Sequence, residues 1–300
     1  MNDTDFFAIL TNYINTFNSF VSDYLNNQSV DCQNSKAARF MLEAMGYSLN
    51  NGGKRIRPVL TLEFCRLCCG DYVRALPFAL SVEMIHTYSL IHDDLPCMDD
   101  DEVRRGKPSS HIVYGYANAL LAGDALLTLA FNNLAGCNAG EKEKIKAISY
   151  LSKCAGYTGM VGGQVMDIEN EKVKPSADDI EQTDLLKTGE MLKASCVLGC
   201  ICAGGDENRI KAAESFASDI GLAFQIVDDI LDVTGDSSSL GKPTGSDEKN
   251  NKTTYVSLYG IDNCREKVKF LSERALTAVS DFEDADFLRI FTQKLVNRNS

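Results

Sequence analysis

Two clusters of aspartate residues are the strongest chemical signal in this 300-residue sequence. The first, Asp93–Glu102 (DDLPCMDDDE), holds six carboxylates within ten residues at the end of an apolar stretch. Like charges packed this closely resist ionisation. A divalent cation removes that conflict, and Mg²⁺ prefers carboxylates together with phosphate oxygens. The other interpretation is an acidic, solvated loop, and this stretch by itself favours neither.

The geometry of the first cluster depends on Pro96. Proline breaks a helix because it lacks the backbone N–H and clashes with the preceding turn. We therefore expect the helix to end here and the chain to turn back, so that Asp99 approaches Asp93.

The second cluster lies in Phe224–Asp232 (FQIVDDILD). Asp228 and Asp232 are four residues apart and so lie on one helix face, yet the run is otherwise apolar. Carboxylates on a largely buried helix are almost never left unpaired. Two such helix ends could face each other across a cavity, where metal ions between them would clamp a diphosphate.

Basic residues occur where a diphosphate would need them. Gly52–Pro58 (GGKRIRP) is a flexible basic loop that runs into a helix, and helix N-termini favour anions. Arg104 and Arg105 follow the first aspartate cluster directly, and we favour a role in binding the diphosphate over the alternative that they neutralise the aspartates. His86 lies on an apolar helical stretch, where it is either a buried core residue or a substrate contact, and we favour the contact.

Helical periodicity dominates the chain, and strand alternation is nowhere sustained. Gly70, Gly140 and Gly260 are plausible helix ends. The pattern predicts an all-α fold in a single domain over residues 1–300. The predicted helices include 37–48, 58–69, 75–92, 117–135, 143–160, 178–203, 208–232 and 263–280.

Composition excludes several classes of protein. The net charge of −12 disfavours a nucleic-acid binder, because phosphate backbones need clustered Lys and Arg. No apolar run approaches the roughly 20 residues of a membrane span, so none is predicted. The eleven cysteines sit largely in apolar stretches and the N-terminus is acidic, unlike a signal peptide. We therefore expect reduced thiols and a cytoplasmic protein.

Several motifs in a fixed order together resemble one enzyme family. Ser89–Gly106 (SLIHDDLPCMDDDEVRRG), Phe224–Asp232 and Gly52–Pro58 match three of its motifs. The sequence is similar to the trans-prenyl diphosphate synthases, most closely to the short-chain farnesyl and geranylgeranyl diphosphate synthases of bacteria and plastids. The resemblance spans roughly residues 50 to 260. Three shorter motifs also fit in order: Gly162–Asp167, Lys187–Gly189 and Lys252–Tyr255.

The resemblance implies a helical bundle of the isoprenoid synthase type around a central cavity, usually in a homodimer. It also implies a role for each matching residue. Magnesium would be held by Asp93, Asp99 and Asp228, with Asp94 assisting. The diphosphate of isopentenyl diphosphate would be bound by Lys54, Arg57, His86 and Arg105. The allylic substrate would be bound by Arg104, Lys187, Thr188, Gln225, Lys242 and Lys252. Asp167 would orient a neighbouring Lys or Arg.

The implied reaction is head-to-tail condensation of isopentenyl diphosphate with dimethylallyl and geranyl diphosphates. We predict farnesyl diphosphate as the product, because the aromatic ring of Tyr88, five positions before Asp93, would form a floor under the growing chain. Ser89 is too small to do so. The alternative is that Tyr88 is an ordinary core residue and the product is geranylgeranyl or geranyl diphosphate.

Two other functions compete with this one. A terpene cyclase shares the aspartate motif but needs no site for isopentenyl diphosphate, so Lys54, Arg57 and Arg105 argue against it. A non-catalytic partner subunit would carry paired Cys-x-x-x-Cys motifs, and Cys65–Cys69 and Cys196–Cys200 have that spacing. Such subunits typically lose an aspartate motif, whereas both are intact here.

Overall fold

The structure is a computed structural model that describes residues 1–234 and 253–297, and it is built from helices with one short hairpin. The all-α prediction is confirmed. The first seven helices are α1 Asp3–Asp31, α2 Lys36–Leu49, α3 Ile56–Cys69, α4 Leu76–Asp93, α5 Ser110–Tyr114, α6 Tyr116–Gly136 and α7 Glu141–Ala155. The next seven are α8 Met160–Asn170, α9 Ala177–Asp184, α10 Glu190–Cys202, α11 Glu207–Thr234, α12 Tyr255–Tyr259, α13 Ile261–Ala278 and α14 Asp286–Val296.

Three shorter elements complete the described chain. A 3₁₀ turn, Val73–Ala75, precedes α4, and a π-helical turn, Leu185–Gly189, joins α9 to α10. Strands β1 (Val103–Arg104) and β2 (Lys107–Pro108) form an antiparallel hairpin directly after the first aspartate cluster. The sequence pattern did not predict this hairpin, because two-residue strands show no alternation.

Helices α4 and α10 lie at the centre of the fold and are buried along most of their length. On one side of α4, the Ser81 hydroxyl donates a hydrogen bond to the Ala130 carbonyl of α6 (2.8 Å). Gly199 of α10 touches α3 so closely that a Cβ there would overlap the Thr61 carbonyl. Polar and small residues therefore set the spacing inside an otherwise apolar core.

The two ends of the described chain meet. The Met1 ammonium group lies 2.8 Å from Asp286, and Lys294 lies 2.7 Å from Asp3. The rings of Phe6 and Phe287 stack between them at 4.9 Å. Helix α14, which periodicity did not predict, thus packs on α1. The single-domain organisation of residues 1–300 stays a prediction.

The predicted helix 178–203 is interrupted by the π-helical turn. Gly163 of α8 lies against the backbone of Lys187, where a Cβ would overlap the Lys187 nitrogen. On another side, a Cβ on Gly221 of α11 would come within 3.2 Å of the Gly189 Cα. The wider turn thus lies between two closely packed helices. Local periodicity carries no sign of such contacts, and π-turns often mark functional sites.

One helix of the described residues, α6, is long and apolar enough to span a membrane by length and composition alone. This is weak evidence for a span, because a core helix of a globular protein passes the same test. Helix α6 is such a core helix on the side that faces α4, where Asn133 donates hydrogen bonds to Pro77 and Ser81.

Candidate active site

The first aspartate cluster folds back on the end of α4. Helix α4 ends at Asp93, and the Asp99 N–H then donates a hydrogen bond to the Asp93 carbonyl (2.9 Å). The Asp100 N–H donates to the Leu95 carbonyl (3.2 Å), with Asp100 itself at a positive φ of 52°. The predicted turn around Pro96 is confirmed, and it brings Asp99 next to Asp93.

The carboxyl of Asp93 is electrostatically strained. Burial raises the pKa of Asp93 from its ordinary 3.8 to about 6, with Asp99 adding to the rise and the Lys187 ammonium opposing it. Lys187 is therefore a close electrostatic neighbour of Asp93, although it lies on the π-helical turn. A metal ion would supply positive charge that offsets both the burial of this carboxylate and its repulsion by Asp99.

Asp94 faces a different partner. It is buried, and both Nε (2.8 Å) and Nη2 of Arg104 donate to its Oδ1, while Nη2 also reaches Asp101 (3.0 Å). Burial raises the pKa of Asp94, and the hydrogen bonds from Arg104 oppose the rise. In this structure Asp94 and Arg104 thus neutralise each other. Their predicted roles toward magnesium and the allylic diphosphate stay predictions.

A cluster of positive charge lies on the other side of the hairpin. The His86 Nε2 is 3.4 Å from Nη1 of Arg57 and 3.5 Å from Nη2 of Arg105. Burial, together with these two guanidinium groups, holds the pKa of His86 well below its usual value, so its imidazole is neutral. Within the described residues, the buried Nε of Arg57 has no hydrogen-bond partner. An anion placed here would supply the missing acceptor.

The hairpin and the glycine loop hold Arg105 in place. Arg105 lies at a positive φ of 53°, and its Nη1 donates to the Gly52 carbonyl (2.7 Å). A Cβ on Gly53 would come within 2.6 Å of the Arg105 guanidinium carbon. Gly53 is therefore needed both for its own φ of 104° and for room beside Arg105.

Two residues that sequence reasoning missed attach this hairpin to α2. Asn51 donates a hydrogen bond to the Arg104 carbonyl (3.0 Å), and the Tyr47 hydroxyl donates to the Pro108 carbonyl (2.7 Å). Their signal was weak, because polar residues at a helix end are usually solvated. Their contacts make them positioning residues for the two arginines.

Arg55 and Glu83 form a buried ion pair that the sequence also concealed. Their side chains are 2.6 Å apart, and Arg55 donates further to Asn18 and to the Leu49 carbonyl. Arg55 therefore points into the core, whereas Arg57, two residues later, lies beside His86. Glu83 could have been noticed as a lone carboxylate in an apolar stretch. Its charge also favours the charged forms of Arg57 and Arg105.

Two of the predicted allylic residues, Lys187 and Thr188, lie on the π-helical turn. The Lys187 ammonium is 2.5 Å from Asp167, so the expected orienting contact of Asp167 is present. Thr188 is half-buried on the same turn. Gln225 is half-buried on α11, one helical turn beyond the Gly221 contact. Lys242 and Lys252 lie outside the described residues.

Asp228 and Asp229 of the second aspartate cluster have different roles. Asp229 accepts a hydrogen bond from the Tyr255 N–H (2.9 Å) and so anchors the start of α12. Asp228 is half-buried, three residues after Gln225 and therefore on the same face of α11. Asp228 thus lies on the helix face of Gln225, whereas Asp229 ties α11 to α12.

The carboxylates fit magnesium better than a metal that needs a full protein cage. In the part of the chain that the structure describes, no three His, Cys, Asp or Glu side chains converge on one metal position. Mg²⁺ is commonly held by one or two carboxylates, with water and substrate phosphate oxygens as its other ligands. Asp93, Asp99 and Asp228 would suit an ion that arrives with a diphosphate.

Tyr88 and Ser89 lie one turn or so before Asp93 on α4. Tyr88 is 7% exposed, and burial, with the charge of Asp93, raises its pKa to about 12. Its ring meets His92 edge-on at 5.6 Å. Ser89 is half-buried and donates a hydrogen bond to the His86 carbonyl (2.9 Å). The His92 Nε2 lies 3.0 Å from the Leu120 carbonyl, a contact that ties α4 to α6.

The strain on Asp93 predicts a pH dependence of stability in metal-free protein. The pKa of Asp93 is about 6 in the folded chain and 3.8 ordinarily, so the folded state binds the proton more tightly. This preference adds fully to the free energy of unfolding below pH ~4, and it is lost as the pH rises through ~6. The loss should be about 2 kcal/mol after allowance for partial exposure. Urea unfolding in EDTA at several pH values measures it.

Asp93→Asn should flatten this decline, because the amide imitates the protonated acid. The control is Asp262→Asn, which changes an exposed carboxylate and should leave the decline unchanged. Equal slopes for the wild type and Asp93→Asn would contradict the prediction.

Most of the chain matches a known protein family. The family described as "Polyprenyl synthetase" matches residues 38–289. The chain is 46% identical over 248 residues to a chloroplast protein of Arabidopsis thaliana named heterodimeric geranylgeranyl pyrophosphate synthase large subunit 1, covering 80% of this chain and 67% of that one. It is 46% identical over 236 residues to the farnesyl diphosphate synthase of Geobacillus stearothermophilus, covering 78% and 80%.

A solved structure extends the likeness to the whole fold. The geranyltransferase of Helicobacter pylori, complexed with magnesium and isoprenyl diphosphate, is 31% identical, with a TM-score of 0.79 over 96% of each chain. The helical bundle of the isoprenoid synthases is thereby confirmed. The chain belongs to the polyprenyl synthetase family, and it is a short-chain trans-prenyl diphosphate synthase, a prenyltransferase.

Proposed function

We propose that this enzyme makes farnesyl diphosphate by adding isopentenyl diphosphate to dimethylallyl and then to geranyl diphosphate. The observation that carries the product is the buried ring of Tyr88, just over one helical turn before Asp93 on α4. A chain that grows from the aspartate cluster along α4 meets this ring. Relatives are named for both fifteen-carbon and twenty-carbon products, so geranylgeranyl diphosphate is the second candidate.

Isopentenyl diphosphate would bind at the cluster of Arg57, His86 and Arg105. Two guanidinium groups and a neutral imidazole lie together there, and a buried donor of Arg57 awaits an acceptor. Arginine suits this task because its planar fork binds phosphate oxygens in pairs. Lys54, exposed just before α3, would add its ammonium group at the entrance.

The allylic diphosphate would bind between the end of α4 and the π-helical turn. Lys187 lies beside Asp93 and is held by Asp167, so its charge is directed toward the metal-binding side. Thr188 and Gln225 would face the hydrocarbon carbon that becomes cationic. Magnesium, bound by Asp93, Asp99 and Asp228, would neutralise the leaving diphosphate and so lower the barrier to breaking the allylic C–O bond.

The protein's remaining task is to protect the carbocation until the alkene attacks it. The buried, apolar length of α4 below Asp93 excludes water from the hydrocarbon path. His86 is a poor base for the final proton, because burial and two neighbouring guanidinium groups disfavour its protonated form. The released diphosphate would accept that proton.

The competing functions fit less well. A terpene cyclase has no use for a second anion site, so the cationic cluster argues against it. A non-catalytic subunit would not need both aspartate clusters. Of the Cys-x-x-x-Cys pairs typical of such subunits, one lies here on α3 and the other on α10. The single assay that separates these functions incubates the purified protein with isopentenyl and dimethylallyl diphosphates and Mg²⁺, with EDTA as control. Absence of elongated product would contradict the proposal.

A homodimer in the cytoplasm completes the proposal. Exposed apolar side chains lie together on α5 and the start of α6, which would suit a second copy of the same face. They are Ile112, Val113, Tyr116, Leu120 and Leu121. Light scattering at micromolar concentration should give twice the 32.9 kDa chain mass. A monomer would contradict the dimer, and cell fractionation tests the location.

The two adjacent arginines should fail differently when replaced. Arg105→Ala should raise KM for isopentenyl diphosphate about 10-fold or more, because a charged contact is lost from the cationic cluster. Arg104→Ala should act on the allylic substrate instead. It should also lower the free energy of unfolding by about 2–3 kcal/mol, because buried Asp94 would lose its partner. Steady-state kinetics with each substrate varied, together with urea unfolding, separates the two effects. Equal changes in both variants would contradict this division.

Tyr88 should set the length of the product. Tyr88→Ala removes the ring below Asp93 and should shift the products to twenty carbons or more. Tyr88→Phe is the matched control, because it keeps the ring and should still give farnesyl diphosphate. Chromatography of the dephosphorylated products measures the distribution. Wild-type enzyme that makes mainly the twenty-carbon product, or an unchanged distribution in Tyr88→Ala, would show that Tyr88 is an ordinary core residue.

A further inference from the structure

Helix α6 approaches α4 closely beside the residue that precedes Asp93. Gly123 of α6 lies so near the His92 imidazole that a Cβ at position 123 would overlap the ring. The atoms that a Cβ would meet belong to this side chain and not to the α4 backbone. The missing side chain at Gly123 therefore makes room for the imidazole between the two helices.

Two oxygen atoms of α6 hold the imidazole in this space. The His92 Nε2 lies 3.0 Å from the Leu120 carbonyl oxygen and 3.9 Å from the Asp124 carboxylate. Both oxygens are hydrogen-bond acceptors, so the proton of the neutral imidazole lies on Nε2. Leu120, Gly123 and Asp124 lie within about one turn of α6. Together they fix where the His92 ring can lie.

The His92 ring in turn contacts the ring of Tyr88, one helical turn earlier on α4. The ring centroids are 5.6 Å apart and the planes meet at 77°, which is an edge-to-face arrangement. In the described part of the chain, His92 provides the only ring contact of Tyr88, and no residue hydrogen-bonds to the Tyr88 hydroxyl. The position of the tyrosine ring therefore depends on packing, in which His92 takes a direct part.

The direction of the Tyr88 ring decides whether it can block a growing chain. A tyrosine on a helix has two favourable χ1 rotamers, which point its ring in different directions. An edge-to-face contact stabilises the rotamer in which it is made. Loss of the His92 ring would remove that preference, and the Tyr88 ring could turn away from the hydrocarbon path.

We propose that His92 is a positioning residue for product length, which rests against Gly123 of α6 and fixes the Tyr88 ring across the path of the growing chain. The inference rests on the proposed role of Tyr88 and deepens it. It adds a contribution from α6, which carries none of the predicted substrate-binding residues. His92 needs no contact with the substrate in this role.

The ratio of products distinguishes this role from a merely structural one. His92 lies next to Asp93, so a lower rate in a His92 variant would not identify its function. Lower stability would not identify it either. The ratio of twenty-carbon to fifteen-carbon product depends on whether farnesyl diphosphate has room to be extended, and it therefore reports on the Tyr88 ring.

Product analysis of His92→Ala tests the proposal. The full-length enzyme is incubated with Mg²⁺ and with isopentenyl and dimethylallyl diphosphates, and the dephosphorylated products are separated by chromatography. We expect the twenty-carbon to fifteen-carbon ratio to rise about 5-fold, the factor to which an aromatic contact of ordinary strength corresponds. In a Tyr88→Ala background, His92→Ala should add nothing, because the ring that it positions is absent.

Gly123→Ala tests the same contact from α6 and leaves the sequence around Asp93 unchanged. Its Cβ displaces the imidazole, so the product ratio should change, whereas in a His92→Ala background the same substitution should have no effect. Ser81→Ala is the matched control, because it removes a different hydrogen bond between α4 and α6, the one to the Ala130 carbonyl. It should leave the product ratio unchanged.

Four outcomes would overturn the proposal, and they separate it from the proposed role of Tyr88. If Tyr88→Ala shifts the product ratio and His92→Ala does not, only the role of His92 is wrong. If Tyr88→Ala has no effect, both roles are wrong. An equal shift in Ser81→Ala, or an effect of Gly123→Ala that persists without His92, would show that the ratio is not controlled through this imidazole. Circular dichroism verifies that each variant is folded.

Discussion

The active site is organised by charges that the fold brings together without fully neutralising them. Asp93 is half-buried beside Asp99 and Asp94, and its pKa rises as a result. Arg57 and Arg105 both lie against His86, whose pKa falls. Each group costs free energy in the empty enzyme, and each would be relieved by the ligand of opposite charge. A diphosphate that carries metal ions satisfies both kinds of site, which is why the strain is useful for binding and for leaving-group departure.

Charged residues next to the site in sequence pair fully with one another, so only the site residues remain incompletely neutralised. Arg55 and Glu83 form a closed, buried pair, while Arg57 remains available to an anion. Arg104 neutralises Asp94, while Arg105, the next residue, reaches the cationic cluster. The fully paired groups serve as anchors, since a buried charge that loses its partner is strongly destabilising. Of two arginines one or two positions apart, one thus anchors the fold and the other remains in the substrate-binding site.

Backbone geometry decides where the site residues end up. The π-helical turn carries Lys187, whose charge opposes the rise in the Asp93 pKa. It lies between Gly163, where a Cβ would overlap the Lys187 nitrogen, and Gly221, where a Cβ would be tightly packed. The hairpin after the first aspartate cluster turns Arg105 toward Gly52, at a positive φ. Both features are short and irregular, and both are maintained by tertiary contacts such as the hydrogen bond from Asn51 to the Arg104 carbonyl.

The sequence by itself determined the helical fold, the family and most of the candidate site. Apolar periodicity is a local property, and the aspartate clusters are recognisable because carboxylates on apolar helices demand a partner. It even predicted the turn that returns Asp99 to Asp93. Only the tertiary structure decided which charges pair with one another, as in Asp94 with Arg104. Pairing depends on distances between helices remote in sequence, and those distances follow from packing, which periodicity does not encode.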